Sequence, residues 1–259
     1  MTATLTLLTA LALAQSGPAP AVTDSFKPDP AWKSLGKEIW FDPAGKRLVV
    51  RARVALQDGI LEHLVCGKGT KEHESILATE APARRIHAGL ILCGAEPGKP
   101  VRFEPKFAPP TGTSIAIELE WEQDKKLRRA DAREWVKDGA SGKPLAQDWV
   151  FAGSELFEDP RSKAMIYAAD DGDLVTVANF PSAILDLPFR SSANDADRSY
   201  LANPDRVPAR GTPVTLYLKP RPAAAKEPEK SKRWPEVRPR SCGSDRLEAI
   251  TPGPAPSES

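Results

Sequence analysis

The chain of 259 residues has little of what marks the common function classes. Its three cysteines, Cys66, Cys93 and Cys242, form no C-x-x-C pair, which excludes zinc ribbons, thioredoxin-like motifs and iron–sulfur ligation by spacing. An excess of one charge is also missing. With 36 basic against 35 acidic side chains the formal charge is +1, so there is no electrostatic footprint for nucleic acid and no general attraction to anionic membranes. No Gly-x-Ser-x-Gly elbow occurs, which removes the usual signature of a seryl hydrolase. Long apolar runs are absent too. The stretch from Leu5 to Leu13 is too short to cross about 30 Å of hydrocarbon as a helix, and no transmembrane segment is expected in the mature chain.

What is present describes an exported globular protein. The opening "MTATLTLLTALALA" carries no charge, and Ala12-Leu13-Ala14 before Gln15 supplies a small-x-small cleavage pattern, so residues 1–14 read as a signal peptide and the chain as periplasmic or secreted. Residues 15–30 form a Pro-rich leader and residues 221–259 a tail rich in Pro, Lys and Glu. Neither has the apolar periodicity that would offset its ordering entropy, so both are expected to be disordered. The basic tail segment "KSKRWPEVRPR" around Trp234 could dock on an envelope or extracellular partner, but the favoured reading is a solvated low-complexity tail.

Between these segments, residues 31–220 are expected to form one α+β domain, mostly antiparallel sheet built of hairpins and a meander, with one principal helix. "RLVVRARVAL" alternates Val49, Arg51 and Arg53 against Val50, Ala52 and Val54, the two-residue period of a strand with one face inward. Asp58-Gly59 reads as the turn of a first hairpin and Asp171-Gly172 as that of a later one. Pro82 and Gly94 bracket the helix over residues 82–93, with Ala83, Ile86, His87, Leu90 and Ile91 expected on its inner face. Trp121, Trp135 and Trp149 recur every fourteen residues, a spacing that a strand-and-turn meander explains without an aromatic platform. "GTSIAIELEW" and "GTPVTLYLKP" share a Gly-Thr entry into an alternating strand.

Chemistry concentrates in "CGKGTKEHESILATEAPARRIHAG", residues 66–89. His73, Glu74, Glu72, Cys66, His87 and the nearby His63 are all capable of holding a divalent metal, the one cofactor these side chains suit. With Glu72 to Ile76 extended, His73 and Glu74 would face opposite ways. A hydrolase would need Ser75 as nucleophile, His87 as base and a glutamate to orient it. Cys66 and Cys93 are candidates for one disulfide, worth about 3 kcal/mol if unstrained, or for two small buried hydrophobes. Asp170, Asp171 and Asp173 invite calcium, although the spacing is not that of an EF-hand. The preferred reading makes the stretch architectural. Its hydroxyls and glutamates satisfy backbone groups while His87 pins the helix to the sheet.

"LEHLVCGKGTKEHESILATEAPARRIHAGLILCGAEPGKPVRFEPKFAPPTGT", followed in order by "EWVKD", "DWVFAGS", "NFPSAILDLP" and "GTPVTLYLKP", resembles the YdjY-domain proteins over about residues 36–220. The resemblance implies an exported bacterial domain. It carries over no catalytic role or cofactor, because that family has no established reaction. The function expected is a non-catalytic binding or scaffold domain that uses a pocket beside the helix.

Overall fold

A computed structural model describes Asp24, residues 26–191 and residues 200–222. The signal peptide, the earlier part of the leader, Cys242 and the tail from residue 223 lie outside the described residues. The described part of the leader is Asp24 and residues 26–30. Asp24 pairs with Arg51 at 2.6 Å, and the Arg51 guanidinium lies 4.3 Å from the Phe26 ring centroid.

The described chain begins with β1 (Lys33–Gly36), β2 (Ile39–Asp42), β3 (Arg47–Val54), β4 (His63–Gly67) and β5 (Ser75–Thr79), followed by the helix α1 (Ala83–Leu92). Then come β6 (Ser114–Gln123), β7 (Lys126–Asp131), β8 (Val136–Asp138), β9 (Trp149–Phe151), β10 (Leu156–Glu158) and β11 (Met165–Tyr167). The last four are β12 (Asp173–Thr176), β13 (Leu185–Asp186), β14 (Tyr200–Ala202) and β15 (Pro213–Pro220).

Eight of these strands close on themselves in the order β3-β15-β6-β9-β13-β12-β4-β5, with β5 returning to β3 through Arg53 opposite Ala78 and Val54 opposite Leu77. The expected α+β sheet is therefore corrected to a mostly β fold, 41% strand and 11% helix, organised as a closed eight-stranded barrel. Closure leaves no exposed edge along the ring, which answers the pairing hazard of an open sheet. Pairing is antiparallel except between β12 and β13 and between β4 and β5.

Alternation fills the interior. Leu48, Val50, Ala52 and Val54 from β3, Ile115, Ile117, Leu119 and Trp121 from β6, and Val214, Leu216 and Leu218 from β15 belong to one buried core. Their intervening partners Arg47, Arg51, Glu120, Thr215 and Tyr217 form the outer layer, where Arg51 donates to Thr215 Oγ1 at 2.6 Å and Arg47 stacks 4.2 Å from the Tyr217 ring. The two Gly-Thr echoes become β6 and β15, which lie side by side from Trp121 opposite Val214 to Ile115 opposite Pro220.

Two expected hairpins do not form. The chain after Asp58-Gly59 enters β4, but β4 pairs with β5 and β12 while β3 takes β2, β15 and β5. Likewise β11 pairs with β10, and the turn of 3-10 helix at Ala168–Asp171 delivers β12 to β4 instead. In both places a turn signal fixed where the chain bends, and the barrel's need to bury both strands decided the partner. The three tryptophans are all buried, with Trp121 and Trp135 meeting edge to face at 5.2 Å, so they pack the core.

Helix α1 follows β5 and packs against β1, β2 and the beginning of β3, with His87 meeting Phe151 at the end of β9. Pro82 precedes it in extended conformation and Gly94 follows at φ +87°, the left-handed residue that ends a helix. Ile86 and Leu90 join the core, and Gly89 rests so close to Leu48 that a Cβ there would stand 2.3 Å from its Cδ1. Among the described residues, no helix is long and apolar enough to cross a membrane.

Candidate functional site

The other stripe of α1 carries Arg84, His87, Ala88 and Ile91, spaced so that all four share one helical face. Opposite them run Pro97-Gly98, Ala152-Gly153-Ser154, Leu156 and Tyr167, and the space between is a cleft of about 470 Å³. The expected inner face of the helix is thus redrawn. Ile91 is 48% exposed and looks into the cleft mouth with Leu156, while Ile86 and Leu90 face the barrel.

The floor of the cleft is polar at one point. His87 Nδ1 is 2.8 Å from the Tyr167 hydroxyl, which is 3.2 Å from the Gly153 carbonyl oxygen. The imidazole also meets the Phe151 ring edge-on at a centroid distance of 4.9 Å. Gly153, at φ +90°, lets the chain pass this close, since a Cβ would sit 3.0 Å from Pro97 Cβ. Burial lowers the His87 pKa, partly offset by the Gly153 carbonyl, so the ring is neutral at pH 7 and offers one donor and one acceptor. Burial also raises the Tyr167 pKa. Arg84 stands at the rim, 2.8 Å from Asp170 and 5.6 Å above the Tyr167 ring. A neutral hydrogen-bonding pair at the base of an apolar cleft can orient a ligand, and the surrounding alkyl groups can hold its carbon skeleton.

The remaining sequence candidates scatter. His73 lies in a turn of 3-10 helix, Glu72–Glu74, which replaces the expected extended start of the strand, and its side chain is 77% exposed with Nε2 3.7 Å from Glu74 Oε1. Glu72 accepts from the Gly69 amide at 2.9 Å, an architectural role. Ser75 is fully buried and donates to the Lys71 carbonyl at 2.5 Å. His73 and Ser75 stand before or at the start of β5 and His87 beyond its end, so the length of that strand, about 17 Å, separates them. Neither the Ser75–His87 pair of a hydrolase nor a His73–His87 metal site is assembled. Cys66 and Cys93 are both buried free thiols. Burial raises the pKa of each, that of Cys93 to about 12 with Asp42 adding to the effect, so both are inert nucleophiles. The aspartates proposed for calcium part company, Asp170 turning to Arg84 and Asp173 turning inward to His63.

Two features had no local signal. Tyr167 lies 80 residues from His87, and the closed ring that brings them together depends on long-range pairing. The second is a buried ionic cluster on β4 and β12. His63 Nε2 is 2.7 Å from Asp173 Oδ1, Lys71 and Ser182 also reach the Asp173 carboxylate, and Phe180 stacks on the imidazole at 5.4 Å.

The fold and cleft define a closed β-barrel domain with one end covered by a helix and a ligand-sized apolar cleft along that helix. Residues 39–219 match the YdjY domain model, and the chain belongs to the YdjY domain family. No curated protein and no solved structure matches it.

Proposed function

We propose that this is an exported, non-catalytic binding module that takes an apolar group bearing a hydrogen-bonding atom into the cleft beside α1. The observation that carries the reading is the meeting of exposed Ile91 and Leu156 at the mouth of a cavity whose floor presents His87 and Tyr167. Monomeric proteins seldom leave such apolar surface beside a cavity without a use for it. The volume of about 470 Å³ lies within the range of small-molecule sites, about 300–1,000 Å³. The charge-free apolar opening of the chain supports export, which places the ligand or partner in the envelope or outside the cell.

Binding of a series of alkyl and phenyl alcohols and carboxylates with six to ten carbons tests the reading. Ile91→Asp and Leu156→Asp alter exposed side chains, so both variants are expected to melt within a few degrees of the parent. Each should weaken binding at least tenfold. Equal affinity in parent and variants, or no binding by the parent at millimolar ligand, contradicts the proposal.

A further inference from the structure

His63 is fully buried, and its Nδ1 has no hydrogen-bond partner, whereas Nε2 is committed to Asp173. A buried ring nitrogen without a partner is unfavourable, and in a cluster whose other polar atoms are paired it is the one atom left to meet a ligand. A ring nitrogen of His63 and one carboxylate oxygen from each of Glu62 and Glu74 lie within 4.8 Å of one another. Among the described residues, this is the one group of three potential metal ligands gathered so closely.

The backbone holds the three in place. His63 opens β4 opposite Ser75 of β5, and the Glu62 amide donates to the Glu74 carbonyl at 3.0 Å. Glu62 is 8% exposed and the Glu74 side chain 15%, so two carboxylates stand in a largely dry corner beside the imidazole. We propose that Glu62, His63 and Glu74 form a binding site for one divalent transition-metal ion, zinc or manganese, with Nδ1 as the imidazole donor.

Asp173 is the group that prepares the ring. By accepting the Nε2 proton it fixes the tautomer whose Nδ1 lone pair is available, the carboxylate–histidine–metal arrangement found around bound ions. Lys71 balances the charge of Asp173, and a dication would balance those of the two glutamates. Ligand atoms on a tetrahedral ion at about 2.0–2.1 Å stand about 3.3 Å apart, so small side-chain rotations close the site. Both glutamates have further interactions in the folded chain, and ion binding exchanges some of these partners. One imidazole with two carboxylates suits zinc or manganese better than calcium, which takes six or more oxygens. This site is distinct from the cleft, from which the length of the barrel strands separates it.

The test is calorimetric titration of the chelator-treated full chain with zinc or manganese alone, alongside melting temperature. The expected result is one ion per chain, a rise in melting temperature with metal concentration, and affinity at least tenfold weaker in Glu62→Gln and in Glu74→Gln. His73→Ala, at the exposed rim, should retain tighter binding than either. Since His63→Ala can fail to fold, Asp173→Asn serves as the check on the ring: where it folds, it should weaken the ion by about 10–100-fold. Absence of saturable binding, or binding that the two glutamine variants leave unchanged, overturns the proposal.

Discussion

Asp173→Ala is expected to destabilise the folded domain by about 1–3 kcal/mol, the cost of leaving buried hydrogen-bonding groups without their partner. The carboxylate is 3% exposed and receives hydrogen bonds from His63, Lys71 and Ser182. Without it, the ammonium and imidazole face each other with no anion between them. Burial alone would raise the Asp173 pKa, but these three donors outweigh it and hold the carboxyl well below its usual range. A depressed folded-state pKa contributes stability above the unfolded value of about 3.9 that is lost as pH falls through the folded one. Urea denaturation should therefore show an acid limb below pH 4 in the parent that is shallower in Asp173→Asn. A loss under 1 kcal/mol for the alanine variant would mean that the cluster is not holding β4 to β12.

Asp186→Asn should act at the other end of the pH scale. Asp186 is fully buried, with Oδ1 accepting from Thr176 Oγ1 and Asn179 Nδ2 at 3.0 Å each and from the Leu187 amide at 2.7 Å, while Oδ2 has no partner. Burial outweighs those three donors and pushes its pKa up to about 7. The sign is the reverse of that at Asp173. A raised folded-state pKa contributes stability that is full below the unfolded value and lost as pH rises through about 7. Between pH 4 and pH 7 the stability of the parent relative to Asp186→Asn should fall by about 3 kcal/mol, with a slope of at most about 1.4 kcal/mol per pH unit. Parallel profiles for the two proteins would mean that Asp186 stays ionised in the fold.

Both residues show how far the sequence could be read. The strands β3, β6 and β15 and helix α1 were legible because their signals are local: a two-residue apolar period, a Gly-Thr entry, a Pro82 start and a Gly94 stop. Barrel closure was not. It depends on β5 lying antiparallel to β3 and parallel to β4, and nothing in "SILAT" names a partner. The same limit governs the sites. His87 was visible as a histidine on an apolar helix, but Tyr167 and Gly153 reach it only through the ring. Glu74 is legible in its Lys-Glu-His-Glu run, but its neighbour in that run, His73, is exposed, and the histidine close to Glu74 in the fold is His63, which only strand pairing brings there. The contact between His63 and Asp173 spans 110 residues. The Asp171-Gly172 signal marked a real bend, and its strand-like flanks gave no hint that β12 would join β4 and leave β11 to β10.

Whether the cleft beside α1 receives a ligand is measured most directly by following the imidazole nitrogens of His63, His73 and His87 by NMR while a phenyl or alkyl carboxylate of the tested series is added. The expected result is that the His87 resonances shift in a saturable way, with the affinity seen in solution binding, while those of His63 and His73 stay in place. Saturable binding that leaves His87 unmoved would contradict it.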